Sequence, residues 1–257
     1  MPVDNVRVDR HVLQPASLPG ARWEPRQHTT NRILDALGAP ERARLFPLLT
    51  TVALPIKKVL FEAGEAITAV HFPLDGLVSL VTPLHGGAIV EVATIGNEGI
   101  VGVPLRVGGS LAVRAISQVA GHAARMDGAA FLCELRRNGP LSTLVGRYLQ
   151  ALFAQISQSA GCNRLHTTEQ RLSRWLLMSH DRVGTDEFLI THEFLGQMLG
   201  SQRATVTLSA GLLQAAGLIR YHRGRVTVLE RAGLEATSCE CYEVIRAELE
   251  AVVGLTA

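Results

Sequence analysis

The stretch "THEFLGQMLGSQRATVTLSAGLLQAAGLIRYHRGRVTVLE", residues 191–230, constrains the fold more than any other part of the chain. Thr191 is a natural N-cap, and Phe194, Leu195, Met198 and Leu199 make one apolar face of a short helix. Gly200 ends that helix, and a second one follows at once until Gly217. Beyond it, apolar and polar residues alternate on both sides of Arg223-Gly224, the pattern of a two-stranded wing. Two short helices joined by a glycine turn predict a helix-turn-helix, with an ordinary helical hairpin as the rival.

The second helix is polar at its start. Ser201, Gln202, Arg203, Thr205 and Thr207 crowd its first two turns, and Val206, Leu212 and Leu213 are left to pack on the first helix. Arg203 offers a fork of donors suited to a guanine edge, and Gln202 suits adenine or a phosphate. The three hydroxyls suit phosphates or bases, and a helix N-terminus favours an anion. Double-stranded DNA is the partner this end predicts. The candidate DNA contacts are completed by Thr191 and His192 at the start of the first helix and by His222 and Arg223 at the wing.

A chain of 257 residues is long enough for two modest domains. Residues 1–28 read as a flexible lead. Helical spacing predicts a short helix in "NRILDALGAPERARLFPLL". From Thr51 to Met126, strand-length runs such as "KKVLF", "AVHFPL", "GLVSLV", "AIVEVATI" and "RAISQV" alternate with turns at Asp75-Gly76, Gly86-Gly87 and Gly108-Gly109. The fold class expected is α+β: an N-terminal antiparallel β-roll over 29–137, a long dimerisation helix over 138–165, a C-terminal winged helix-turn-helix over 166–236 and a helical tail over 237–257.

In the long helix, Leu141, Val145, Tyr148, Leu152, Gln155, Ser159 and Cys162 recur at a period of 3.5, a coiled-coil seam. Leu144, Leu149, Phe153, Ile156 and Ala160 make a second stripe. One stripe packs on the chain's own β-domain and the other faces a second copy. The seam of Leu141, Val145, Tyr148, Leu152 and Ser159 is taken as the homodimer interface; one broad face buried within a monomer is the rival.

Charge and cysteines add limits. The net charge is only +2, yet Cys162 to Arg231 carries nine Arg against six acidic residues, and the remainder one Arg against five Glu. Such a basic segment is compatible with nucleic acid. Cys133, Cys162, Cys239 and Cys241 are too few for a disulfide scaffold, and Cys239-x-Cys241 lacks an evident second pair, so structural thiols are expected and no metal site. No apolar stretch is long enough to span a membrane and the start lacks a signal-peptide core, which predicts a cytoplasmic protein with no membrane partner. The chain carries no phosphate-binding glycine loop, zinc-protease motif or Gly-x-Ser-x-Gly elbow, so an enzyme is not expected. The alternative to a DNA-binding regulator is a ligand-sensing or protein-interaction module.

"FLGQMLGSQRATVTLSAGLLQAAGLI" resembles the helix-turn-helix signature of the Crp/Fnr family of bacterial transcription regulators, and "FEAGEAITAVHFPLDGLVSLV" resembles the first half of that family's cyclic-nucleotide-binding roll. The resemblance runs from about Asn31 to Glu230. It implies a homodimer on a roughly palindromic operator, RNA polymerase as a further partner, and a small-molecule effector in the roll.

Departures from the family pattern bear on that effector. Where members that bind cyclic nucleotides carry Gly-Glu, this chain has Gly102-Val103; where they carry Arg-Ser or Arg-Thr, it has Arg114-Ala115; and Gln155 falls where they place a purine-contacting Thr. Val101, Gly102, Val103, Arg114 and Gln155 are therefore the candidate effector pocket, with cyclic AMP not expected to bind in the family's usual way. Val101, Val103 and Leu105 leave either a pocket for a less polar effector or one closed by side chains. Oxygen-sensing relatives hold an iron–sulfur cluster on N-terminal cysteines, and none precedes Cys133 here; His71 or His85 as a haem ligand is less expected than a packing role, so no cofactor is assigned. Only the first Arg of the family's usual reading set is present, at Arg203, and Leu208 is left either to touch a thymine methyl or to be buried.

Overall fold

The computed structural model describes residues 31–104 and 111–254. The lead over 1–28, the Gly108-Gly109 turn and Leu105 lie outside the described residues. Helices α1 (Arg32–Asp35) and α2 (Ala39–Leu45) replace the one short helix expected, because Gly38 breaks the backbone between them and Pro40, in the first turn of α2, has no N–H to continue α1. Asn31 is wholly buried and caps α1: its Oδ1 accepts from Ile33 and Leu34, and its Nδ2 donates to the carbonyls of Pro73 and Gly99. One side chain thus ties the entry helix to two loops of the roll.

The roll is two antiparallel sheets. The first orders β1 (Leu49–Leu54), β7 (Gly121–Asp127) and β3 (Ala69–Pro73) as β1-β7-β3. The second orders β2 (Val59–Phe61), β6 (Arg114–Val119), β4 (Leu77–Pro83) and β5 (Ile89–Ile95) as β2-β6-β4-β5. β3 is buried along its whole length, as is most of β4. Their continuous apolar runs, rather than alternation, reflect that cover on both faces.

Helix α3 (Gly128–Arg136) is followed by α4 (Pro140–Leu165), with Pro at the first position of α4, where a missing N–H costs nothing. Leu141, Val145, Tyr148, Leu152, Gln155, Ser159 and Cys162 are all buried within the chain itself. This corrects the dimer seam expected at Leu141, Val145, Tyr148, Leu152 and Ser159: those residues pack on the roll and on the C-terminal helices, so they are not free to meet a second copy. The reason is legible in their chemistry. Gln155 donates to the carbonyl and the hydroxyl of Thr94, both at 3.1 Å, which fixes that face of α4 on β5. Of the second stripe, Phe153, 71% exposed, and Ala160 face outward, and Leu149 and Ile156 are half-buried against the core. Leu144, also placed in that stripe from sequence, is buried.

The C-terminal third comprises α5 (Thr168–Val183), β8 (Glu187–Leu189), α6 (His192–Leu199), α7 (Arg203–Ala215), β9 (Ile219–His222), β10 (Arg225–Val228), α8 (Arg231–Thr237) and α9 (Cys241–Gly254). A full capping box, Thr167 with Gln170, starts α5. The wing has three strands, β8-β10-β9, rather than the two expected. Helix α9 packs along α4 and α5, burying Tyr242, Ile245, Leu249 and Val252. None of the described helices is long and apolar enough to cross a membrane.

This unit is docked on the roll by polar contacts as well as apolar ones. Trp175 Nε1 donates to Glu91 Oε1 at 2.9 Å, Arg182 pairs with Glu98 at 2.8 Å with both side chains buried, and Gln118 Nε2 approaches the Met198 sulfur at 3.2 Å. Gly96 lies so close under Arg182 that a Cβ there would fall 2.6 Å from its Cγ.

Candidate nucleic-acid interface

Thr191 caps α6, its Oγ1 accepting from the Phe194 amide at 3.2 Å. The helix ends at Gly200 with φ 56° and ψ 39°, a left-handed turn that a glycine adopts without strain. Four residues earlier, Gly196 lets the next segment pass overhead: a Cβ there would lie 2.9 Å from the Ser201 carbonyl. These two glycines set the angle between α6 and α7. Val206, Ala210 and Leu213 then seat α7 on the core.

The first turn of α7 faces away from the core. Gln202 is its N-cap yet makes no capping bond, and Gln202, Arg203 and Thr205 are exposed. None of their side chains has a hydrogen-bond or ion-pair partner among the described residues, so their donors and acceptors are available. Thr207 differs. Its Oγ1 donates to the Arg203 carbonyl at 2.9 Å and lies 3.0 Å from His192 Nδ1. Ser201 turns inward, within 3.3 Å of the Arg171 guanidinium and 3.5 Å of the Thr168 hydroxyl. It therefore orients the turn rather than projecting from it.

His192 stacks on Tyr221 with ring centroids 4.0 Å apart, and Tyr221 in turn donates its hydroxyl to the Ile190 carbonyl at 2.7 Å. Burial, with Arg203 nearby, lowers the His192 pKa, so the ring is a neutral spacer between α6, α7 and the wing. Arg223 and Gly224 both have positive φ at the tip of the β9–β10 hairpin, which matches the twist of a two-residue turn. His222 and Arg223 are exposed there, and Arg220 on β9 is exposed as well, a candidate that the alternation of the wing alone does not single out. Leu208 is 67% exposed on α7 and Leu212 is 50% exposed, so the expected burial of Leu212 is corrected and Leu208 is an outward apolar residue.

Residues 170–237 match the Crp-like helix-turn-helix domain. That segment is a Crp-like helix-turn-helix domain. The chain is a DNA-binding transcription regulator, and α6 and α7 lie within the matched segment. The regulator is 25% identical over 203 residues to the global nitrogen regulator of Nostoc sp. strain PCC 7120, covering 72% of this chain and 91% of that one. Its fold is that of a CRP-family transcriptional regulator from Thermus thermophilus, with a TM-score of 0.61, 21% identity, and cover of 73% and 96% of the two chains. It is also that of the c-di-GMP-responsive global regulator of Xanthomonas campestris, with a TM-score of 0.60, 16% identity, and cover of 74% and 99%.

The candidate effector residues are not brought to one opening. Val101 and Val103 are wholly buried, and Val101 exchanges backbone hydrogen bonds with His71 at 2.8 and 2.9 Å. They are core, not lining. Arg114 is held by Glu62 at 2.6 Å, and Gln155 is committed to Thr94. A groove of about 520 Å³ opens beside these valines, lined in part by Lys58, Phe61, Ile67, Arg125 and His71, the residue paired with Val101.

Cys162, Cys239 and Cys241, read from sequence as structural thiols, are not dispersed in the fold. The structure brings Cys162 and His166, one turn apart at the end of α4, against Cys239 and Cys241. No local spacing reveals this, because 77 residues separate Cys162 from Cys239.

Proposed function

We propose that the regulator acts as a homodimer, with a sensor roll at 29–137, a dimer helix at 138–165 and a DNA-binding domain at 166–236, setting one α7 into each of two successive major grooves of a roughly palindromic operator. The observation that carries this reading is the outward first turn of α7, where Gln202, Arg203 and Thr205 stand exposed with unpaired polar groups. His222 and Arg223 at the wing tip reach the flanking backbone, and Leu208 offers an apolar contact to a thymine methyl. On the operator the dimer meets RNA polymerase. The stripe of exposed Phe153 and Ala160 with half-buried Leu149 and Ile156 joins the two copies.

Selection of bound sequences from random double-stranded DNA tests this reading. It is expected to return a two-fold symmetric site with half-sites about one helical turn apart. Arg203→Ala should weaken specific binding by about 1–3 kcal/mol, roughly 5- to 150-fold, and relax the preference at one base pair per half-site. Equal weakening on operator and random DNA would reduce Arg203 to a phosphate contact.

The roll does not respond to cyclic AMP in this reading. Val103 has no carboxylate for ribose hydroxyls, and Arg114 is already neutralised by Glu62. The ligand thus forgoes two polar interactions of about 1–3 kcal/mol each, which weakens binding by at least about 30-fold. Calorimetric titration with cyclic AMP, with and without operator DNA, should show no heat; micromolar binding that also tightens DNA affinity would overturn the reading.

A further inference from the structure

Outside the DNA-reading surface, four ligand-type side chains converge at one point. Cys162 lies on the last turn of α4 and His166, four residues on, caps its end; Cys239 lies in the α8–α9 connection, and Cys241 opens α9. The three sulfurs and one imidazole nitrogen all fall within 4.8 Å of one another. Cys162 Sγ is 3.5 Å from Cys239 Sγ, and Cys241 Sγ is 3.5 Å from His166 Nδ1. All three cysteines are buried.

Two of these six separations match the edges of a tetrahedron around one ion, and the other four lie within 4.8 Å. With metal–sulfur bonds of about 2.3 Å and metal–nitrogen bonds of about 2.0–2.1 Å, the edges of a tetrahedral site are roughly 3.6–3.8 Å. An iron–sulfur cluster does not fit so small a space, because several irons and sulfides lie between its cysteine sulfurs. We propose that Cys162, His166, Cys239 and Cys241 form a mononuclear, four-coordinate site for a thiophilic divalent cation, zinc in the cell.

Two further observations support it. The imidazole is oriented as a ligand: Nδ1 faces the thiols, and Nε2 lies 3.3 Å from Glu240 Oε1. A carboxylate on the far nitrogen fixes the proton there and leaves the lone pair of Nδ1 for the metal. The charge also balances. Arg171 and Arg174 are buried and act electrostatically on the thiol cluster, yet neither has a carboxylate partner within salt-bridge distance among the described residues. Three thiolates around a divalent ion leave one net negative charge, which supplies the counter-charge these guanidiniums lack. On binding, the thiol protons pass to solvent.

The site closes the chain around the DNA-binding domain. It joins the end of α4 to the start of α9, with α5, α6, α7, the wing and α8 all lying between the two anchors. A bound ion therefore fixes where that domain sits relative to the long helix, through the tail that lies outside the family resemblance.

The test uses the full chain, purified with reductant and without chelator. Elemental analysis should find about one zinc per chain, and cobalt exchanged for it should give the intense visible bands of a tetrahedral thiolate site. Cys162→Ser or Cys239→Ser should lower the metal content at least about tenfold, and Cys133→Ser, at an exposed position elsewhere, should leave it unchanged. Should those serine variants fail to fold, thiol titration of the wild-type chain decides: one reactive thiol with metal bound, and four after chelation. A reduced wild-type chain that holds no zinc and takes up no cobalt overturns the proposal. So does a Cys162–Cys239 disulfide as the purified state, or oxygen-labile iron with sulfide in place of zinc.

Discussion

Phe153→Glu should convert the regulator to a monomer and lower its operator affinity by about 10²–10⁴-fold, the range set by the loss of a second, tethered half-site. Phe153 stands 71% exposed near the middle of α4, and Leu149, Ile156 and Ala160 flank it at the 4-3-4 spacing of a coiled-coil seam. Two copies of α4 pressed along this stripe would place carboxylates at its centre, where neither is solvated and like charges meet. The fold itself should survive, because the side chain touches little of its own core. Val145→Glu makes the contrast. Val145 is wholly buried, and a carboxylate there should cost the native state rather than the dimer. Sedimentation velocity and thermal unfolding on the two variants separate these outcomes. A Phe153→Glu chain that sediments as an unaltered dimer would mean that another surface joins the copies.

The exchange of the two stripes shows what the sequence carries and what it does not. A period of 3.5 marks both faces of α4 as apolar, but periodicity cannot say which face meets the chain's own sheet. The deciding contact is Gln155 with Thr94, a polar bond between residues 61 apart. The polar half of the seam, Gln155 and Ser159, was the available sign: such residues stay in a core where a partner waits for them. The helix-turn-helix was readable because every part of it is local, from the Thr191 cap to the αL turn at Gly200 and the Arg223-Gly224 hairpin. Strands β2 to β6 likewise follow the apolar runs between turn residues, and β8 escaped because a three-residue strand has no periodicity of its own. The thiol cluster was invisible for the opposite reason. Its halves are adjacent only because α9 folds back along α4, and nothing near Cys239-x-Cys241 announces that return. The reading of Val101 and Val103 as lining failed on depth, since a missing carboxylate leaves a valine free to close the space.

Trp175→Ala should destabilise the regulator by about 3–5 kcal/mol, the range for an aromatic core truncation. Trp175 is 2% exposed on α5 and tilts against Phe188 at 6.5 Å, so its removal opens a cavity between the DNA-binding unit and the roll. It also takes a donor from Glu91, which accepts from Trp175 on one oxygen and from Ser79 on the other. Trp175→Phe keeps most of the volume and deletes only the N–H, at about 1–3 kcal/mol for the acceptor left unpaired. The pH dependence identifies Glu91 as the group involved. Burial pushes its carboxyl from 4.5 up to about 7, with the Ser79 and Trp175 hydrogen bonds opposing. The folded state therefore holds a proton that the unfolded chain has released, and stability declines as pH rises from 4.5 to 7, by about 1.4 kcal/mol per unit. His71 acts in the other direction. Burial, with Arg125 and Lys58 nearby, lowers it from 6.5 to about 4, so its share of stability is lost as pH falls from 6.5 to 4. Between 4.5 and 6.5 the two slopes cancel, and the wild-type chain should show a nearly level denaturation profile. Glu91→Gln removes one of them. Its stability should then climb with pH across that window by about 3 kcal/mol, the unopposed contribution of His71. A parent profile that itself climbs with pH as steeply as that of Glu91→Gln would mean that Glu91 is already ionised under the Trp175 indole, and that the docking of the two units does not depend on its proton.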